Sequence, residues 1–115
     1  MGSRSATELL QLPVQLHGIR LGRPVDLLLD HVEWRALGFV VLCGDGSRRF
    51  LVFVTADLRE DAIVVSSALL LLEDVEFYRD RSRSLRDLLG SGLRDLLVRP
   101  DGSVEAVESE HVSTA

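Results

Sequence analysis

The sequence predicts an all-β fold with one short helix, and three observations lead to this prediction. Runs of branched and aromatic residues, such as 34–43 and 48–54, are separated by short turn-forming segments, which is typical of antiparallel strands. An Asp-Gly pair lies between these two runs and predicts a tight hairpin. Finally, Asp26-Leu-Leu-Leu is echoed by Asp95-Leu-Leu-Val, and a Leu pair precedes each. The chain therefore resembles one complete and one incomplete copy of a β-rich unit.

Length and composition suit a single small domain. The chain has 115 residues, of which 46% are hydrophobic and 27% charged, as in ordinary globular proteins. Its longest uninterrupted apolar run, 68–72, is far shorter than the roughly 20 residues that cross a bilayer, and the first residues lack the pattern of a secretory leader. The single cysteine, Cys43, fits a reducing compartment. We therefore expect a cytoplasmic protein without membrane insertion.

The first half of the chain predicts two hairpins. Residues 12–16 and 19–29 form the first one, because Gly18 between them accepts the positive φ of a tight turn. Residues 30–33 turn the chain into the two long apolar runs, which form a central hairpin. Side chains of the run 48–54 alternate between two faces that are both apolar, so we expect this strand to be covered on both sides.

The middle of the chain is less regular. Residues 58–61 predict a turn and 62–65 a short buried strand. Residues 66–78 stay open between strand and helix, because their apolar side chains are continuous. Ser84 predicts the N-cap of a short helix over 85–89, with a glycine directly after it as the stop.

A last strand pair is predicted at 93–99 and 103–107, around a Pro-Asp-Gly turn. Two strands are too few to be stable alone, so this pair must complete the upstream sheet or pair with another chain. The predicted organisation is a disordered terminus at 1–6, a domain at 7–78, a truncated second repeat at 79–108 that packs on that domain or on a partner, and a flexible tail at 109–115.

Several short motifs follow one another along residues 7–78. They are Leu-Leu-x-Leu-Pro-Val at 9–14, x-Gly-x-x-Leu-Gly at 17–22, Val-Asp-Leu-Leu-Leu-Asp at 25–30, an apolar strand ending at Val41, Arg-Phe-Leu-x-Phe at 49–53 and Asp-Ala-Ile-Val-Val at 61–65. Their order resembles that of the PRC-barrel family, which includes the cytoplasmic domain of the photosynthetic reaction-centre H subunit and the carboxy-terminal domain of the ribosome-maturation factor. The resemblance implies a small, strongly bent antiparallel sheet that closes into a barrel.

Two features depart from the family pattern. Val52 stands where family members often carry Pro, and the echo at 85–108 lacks the Gly-x-x-Leu-Gly hairpin. The resemblance therefore implies one PRC-type barrel and a degenerate second copy, not two complete barrels.

The sequence offers few residues for catalysis or metal binding. His17, His31 and His111 are scattered and Cys43 is single, so no set of ligands has metal-site spacing. Cys43 lies in an apolar run, which predicts a buried and inert thiol. Asp26 is expected at a turn, where carboxylates cap or are hydrated. We find no nucleophile elbow or phosphate-binding loop, and we predict no catalytic residue, metal or cofactor, and no enzymatic activity.

The candidate partner surface is an arginine-rich segment. Residues 79–99 contain six Arg and three Asp, a local charge of +3 in a chain whose net charge is −5. The candidate residues are Arg79, Arg81, Arg83, Arg86 and Arg94. Their guanidinium groups suit an acidic protein patch or an RNA backbone, and the alternative is a solvated loop that its Asp residues half neutralise. The single tryptophan, Trp34, is expected in the core rather than at an interface.

These observations predict a non-catalytic PRC-barrel interaction or scaffolding module, an adaptor whose protein partner the sequence does not identify. An incomplete sheet leaves an edge that pairs with another strand, so we expect a homo-oligomer, most simply a dimer. The alternative is an RNA-associated or ribosome-assembly accessory protein, which rests on the family resemblance and the arginine-rich segment.

Overall fold

The computed structural model describes residues 2–30 and 32–107, which form a mostly β structure. The strands are β1 (Arg4–Ser5), β2 (Val14–Leu16), β3 (Ile19–Asp30), β4 (Arg35–Cys43), β5 (Arg48–Val52), β6 (Asp57–Leu58), β7 (Ile63–Val64), β8 (Leu71–Leu72), β9 (Arg83–Ser84), β10 (Asp95–Val98) and β11 (Val104–Val107). The helices are α1 (Ala6–Leu9), α2 (Val75–Arg79) and α3 (Leu85–Gly90). The β-rich class is confirmed, but the described chain has three short helices where the sequence predicts one.

Two sheets organise the strands. The larger one has the order β6-β7-β2-β3-β4-β5-β8, and β9 pairs with the far part of β3. The smaller one has the order β1-β10-β11. Within the described ranges the two ends of the larger sheet, β6 and β8, are not paired with each other, so this ladder by itself does not close into a barrel. No helix of the described ranges has the length and apolar character needed to span a membrane.

The central hairpin β4–β5 is covered on both faces, as predicted. Leu51 lies in the main core cluster together with Phe39 and Phe53, whereas Phe50 lies in a second cluster on the opposite face. Val54 departs from the predicted alternation and is 82% exposed. The reason is that β5 ends before it, and a 3-10 turn over Phe53–Thr55 redirects the chain.

The ladder between the long strand β3 and β4 is irregular at two points. The register between these strands shifts between Pro24 and Asp26 and again between Leu28 and Leu29. Each shift is a bulge, and bulges increase the local twist and bend of a strand. The β3–β4 ladder is therefore expected to twist and bend at these two points.

The two sheets are joined by reciprocal hydrogen bonds between hairpin tips. The Ala36 N–H donates to the Gly102 carbonyl at 2.7 Å, and the Val104 N–H donates to the Trp34 carbonyl at 3.3 Å. Trp34 and Gly102 both have positive φ, 54° and 93°. The β3–β4 and β10–β11 hairpins thus contact each other through corresponding residues, with Arg35 directly opposite Ser103, which gives the sequence echo a structural counterpart.

The segments before α1 and α3 are exchanged between the two halves. Ser84 of β9 lies opposite Leu28 of β3, and Ser5 of β1 lies opposite Leu97 of β10. We call Arg4–Leu9 and Arg83–Gly90 the cap segments. The amino-terminal cap segment therefore packs on the carboxy-terminal hairpin, and the later cap segment packs on the earlier hairpin.

The amino terminus differs from the sequence prediction. A disordered segment is predicted over 1–6, but Arg4 and Ser5 form β1 and Ala6 is fully buried. The pairing with β10 orders this segment, and its partner lies at the other end of the chain. The predicted tail at 109–115 lies outside the described residues.

The carboxy-terminal strand pair packs on the upstream sheet, which is one of the two arrangements that the sequence left open. Leu96 and Val98 are buried in the main core cluster. The segment 66–78 is neither one strand nor one helix. It contains a 3-10 turn over Ala68–Leu70, then β8, then the start of α2.

Two single residues are placed differently from the predictions. Trp34 is 42% exposed rather than in the core, because it ends a hairpin turn with positive φ and does not lie within β4. Cys43 is half-buried rather than buried, since it is the last residue of β4, next to the Asp-Gly turn.

Candidate interaction surface

Asp26 is the centre of a polar cluster beneath the arginine-rich segment. It is only 5% exposed and lies within β3, so the prediction of a turn position is wrong. Ser84 Oγ donates to its Oδ2 at 2.5 Å. The backbone N–H groups of Leu27 and Arg86 donate to Oδ1 at 2.9 and 3.2 Å. A buried carboxylate is tolerated when its oxygens are satisfied in this way, so Asp26 fixes the later cap segment on β3.

Asp95 has the same environment in the other half of the chain. Ser5 Oγ donates to its Oδ2 at 2.5 Å, and the Thr7 and Leu96 N–H groups donate to Oδ1 at 3.1 and 2.8 Å. Partial burial raises the pKa of Asp95, but the hydrogen bonds from Ser5, Thr7 and Leu96 outweigh it and hold the pKa below its ordinary value. The carboxylate is thereby kept ionised in the folded protein.

A basic depression of about 430 Å³ lies above Asp26. Four arginines from different parts of the fold line it, together with Val25, Leu42, Asp26, Ser84 and Asp87; the arginines are Arg23, Arg48, Arg79 and Arg86. We use the name basic depression for this site. Four guanidinium groups face two carboxylates, so the site has an excess of positive charge in an acidic protein.

The register of three neighbouring strands explains why Arg23 and Arg48 lie on the same face of the sheet. Arg23 of β3 lies opposite Leu42 of β4, and Leu42 lies opposite Arg48 of β5. Directly opposite residues point to the same face of a sheet. Arg23 and Arg48 therefore stand on either side of Leu42, on the face that carries the second core cluster, and both are exposed.

The other two arginines of the depression are held by the protein. Arg86 Nε donates to the Val25 carbonyl. Arg79 Nη1 lies 3.8 Å from Asp26 Oδ2, and Arg79 Nε lies 3.9 Å from a Glu76 carboxylate oxygen. Arg79 and Arg86 thus have defined positions at the wall of the depression.

Only two of the five arginines predicted to form the partner surface lie together. Arg79 and Arg86 line the basic depression, whereas the other three candidates do not. Arg81 stacks on Phe77, 3.9 Å from the ring centroid, and donates to the Phe77 carbonyl. Arg83 is exposed in β9, and Arg94 is exposed just before β10.

Sequence reasoning missed Arg23 and Arg48. They lie far from the arginine-rich segment in the sequence, and only the pairing of three strands brings them to it. The predicted strands 19–29 and 48–54 contain these two arginines, but the register that brings them together across β4, with its bulge near Val25, was not readable from the pattern.

A second surface is the outer edge of β11 beyond Val104, since the residue before β11 is already bridged to Arg35 of β4. The Val104 N–H faces away from β10, since it donates to the Trp34 carbonyl on the other side. Backbone groups of alternate residues in an antiparallel strand point to the same side, so the N–H and carbonyl of Ala106 also face away from β10. Glu105 and Ala106 are exposed, and β10 is the strand paired with β11 within the described ranges.

A larger depression, about 700 Å³, lies beside the β2–β3 turn and includes His17, Asp57 and Arg59. Arg59 Nε is already paired with an Asp57 oxygen at 2.7 Å, and His17 lies in the turn with a φ of 51°. Over 2–30 and 32–107, no group of three or more His, Cys, Asp or Glu residues is arranged to hold a metal ion. His31 and His111 lie outside the described residues.

No family model matches the chain. No curated protein matches it either. The interpretation of both surfaces therefore rests on their geometry and on the motif resemblance.

Proposed function

We propose that this protein is a non-catalytic interaction module of the PRC-barrel type, which acts as a scaffold or adaptor in the cytoplasm and associates with itself through β11. One observation carries the proposal. The β3–β4 and β10–β11 hairpins contact each other through reciprocal hydrogen bonds and the Arg35–Ser103 bridge. β4 is followed on its outer side by β5, whereas β11 has no corresponding strand beyond that bridge among the described residues. An edge of this kind is completed by a strand from another molecule.

A second copy of the chain is a suitable partner for this edge. Two β11 strands that meet antiparallel across a two-fold axis pair Ala106 with Ala106 of the partner subunit, and exchange two backbone hydrogen bonds. This register places Glu105 opposite Val107 of the partner subunit. A shift to the neighbouring allowed register would bring Glu105 opposite Glu105 of the partner subunit, and like charges directly opposite are destabilising. We therefore expect self-association only in the register that pairs Ala106 with Ala106 of the partner subunit.

The oligomeric state tests this proposal. Light scattering coupled to size exclusion, at high micromolar concentration, is expected to give the mass of a dimer. Ala106→Pro removes the outward N–H while the hydrogen bonds between β10 and β11 are kept, since Pro is tolerated at the free edge of a strand. We expect Ala106→Pro to be a folded monomer.

Ala106→Thr is the matched control, because it keeps the N–H and suits a strand. It is expected to remain a dimer. A strictly monomeric wild type, or a dimer that Ala106→Pro leaves intact with an unchanged circular dichroism spectrum, would contradict association through β11.

The alternative function, binding to RNA, is favoured by the convergence of four arginines on one depression. One feature weighs against it. No aromatic side chain is among the described lining residues of the basic depression. Proteins that bind single-stranded nucleic acid combine a basic groove with aromatic side chains for base stacking. The protein-interaction function is therefore preferred.

A further inference from the structure

We infer that the basic depression binds an acidic, extended segment of a partner protein through Arg23 and Arg48. The inference rests on the proposed interaction function and names the chemistry of the partner. It starts from the charge of the site. Asp26 is already bonded to Ser84, Leu27 and Arg86, which leaves positive charge in excess at the surface.

Arg23 and Arg48 are the two groups that are available to a ligand. Within residues 2–30 and 32–107 neither makes a hydrogen bond or an ion pair, while the other two arginines of the depression have the partners described above. Two adjacent guanidinium groups repel each other. A ligand with negative charge between them removes this repulsion and satisfies their donors.

The spacing of the two arginines favours more than one carboxylate. Each is one strand away from Leu42, and strands are about 5 Å apart, so their Cα atoms are about 10 Å apart. Alternate side chains of an extended peptide point to one side and are about 7 Å apart. The flexible arginine side chains span the difference, and each guanidinium pairs with one carboxylate.

The surroundings strengthen such pairs. Leu42 and Val25 provide an apolar floor between the arginines, which lowers the local dielectric and reduces solvent screening. The volume of about 430 Å³ is large enough for a few residues of a peptide rather than a single small anion. The absence of aromatic lining residues described above favours a peptide over a nucleic acid.

The experiment measures binding of a fluorescein-labelled hexaglutamate peptide by anisotropy at low ionic strength, with hexaglutamine as the neutral probe. The wild type is expected to bind hexaglutamate and not hexaglutamine, and binding is expected to weaken as salt is added. The double variant Arg23→Glu with Arg48→Glu is expected to weaken binding at least about tenfold, because two attractive pairs become repulsive.

The matched control is Arg81→Glu with Arg83→Glu, which changes the net charge equally at positions outside the depression. It is expected to change the affinity less than about twofold. Equal losses in the two double variants would show general charge attraction and overturn the inference. Tighter binding of a single-stranded RNA of similar charge, lost in the Arg23 and Arg48 variant, would overturn it in favour of RNA.

The peptide site and self-association are separable. Ala106→Pro is expected to bind hexaglutamate with wild-type affinity, and the Arg23 and Arg48 double variant is expected to keep the oligomeric state of the wild type. A monomeric wild type that still binds the peptide would contradict only the association through β11. A dimer that does not bind the peptide at low salt would contradict only the inference about the basic depression.

Discussion

Asp26 and Asp95 occupy equivalent positions in the two halves of the chain, and each is bound by the cap segment that belongs to the other half. In both cases a Ser Oγ donates to Oδ2, and two backbone N–H groups donate to Oδ1. The two carboxylates therefore join segments that are 58 and 90 positions apart in the sequence. Neither half can complete its own polar cluster.

The first prediction compares these two residues. Asp26→Ala leaves buried donors of Ser84 and Arg86 without an acceptor, so we expect the free energy of unfolding to fall by about 2 to 4 kcal/mol. Asp95→Ala is expected to cost about 1 to 2 kcal/mol, since its cluster is only partly buried and water can replace the carboxylate.

Urea denaturation followed by circular dichroism measures both changes. Asp61→Ala is the control, because Asp61 is exposed and makes no hydrogen bond or ion pair to the described residues, and it is expected to be neutral within about 0.5 kcal/mol. Equal effects of the three substitutions would contradict a special role for the two carboxylates.

The second prediction concerns pH. The folded pKa of Asp95 lies below its ordinary value of 3.8, so folding favours the ionised form. The stability that this carboxylate contributes is fully present well above pH 3.8, and it is lost as the pH falls through the lowered folded pKa. Denaturation of the wild type and of Asp95→Asn at a series of pH values is the measurement.

The difference in unfolding free energy between these two proteins is expected to be constant from about pH 7 to about pH 5 and to shrink as the pH is lowered further. A difference that grows on acidification would mean that the folded pKa of Asp95 is raised, contrary to its hydrogen-bond pattern.

The third prediction concerns Gly38 in β4. A Cβ at this position would overlap the Leu51 carbonyl oxygen and contact the Phe50 ring at 2.6 Å. We expect Gly38→Ala to lower the free energy of unfolding by about 3 kcal/mol, because the backbone of β5 must move to accept the methyl group.

Gly44→Ala is the matched control, since a Cβ there meets no atom within 4 Å. It is expected to be neutral or slightly stabilising, as fewer unfolded conformations are available to Ala. Thermal unfolding of both variants tests this contrast, and a Gly38→Ala protein as stable as the wild type would refute the close approach of the two strands.

Local sequence patterns predicted much of the fold. The central hairpin follows from the Asp-Gly turn, and Ser84 is the N-cap of α3 as expected, with Ser84 Oγ accepting from the Asp87 N–H at 3.3 Å. The helix extends one residue further than predicted, because it includes Gly90 and its C-cap is the next residue. The same capping pattern occurs at Ser5, where Ser5 Oγ accepts from the Glu8 N–H at 3.3 Å. A search for this repeated cap would have predicted α1, and with it the ordered amino terminus.

Long-range features could not be predicted in this way. Each cap segment could pack on either of two similar hairpins, because both hairpins carry the same Asp-Leu-Leu pattern. The sequence therefore does not show that the cap segments are exchanged. The basic depression depends on the register of Arg23 and Arg48 across three strands. The exposed position of Trp34 depends on a backbone conformation that is uncommon for a bulky residue.

The exchange of the cap segments between the two halves has an evolutionary explanation. In a domain-swapped dimer, each subunit contributes a terminal segment to the other subunit. Fusion of two such ancestral subunits into one chain gives the architecture seen here, in which each half binds the cap segment of the other. After such a fusion only one half needs to retain every strand. The surplus strands of the other half can then be deleted, which leaves an unpaired strand edge where they once lay.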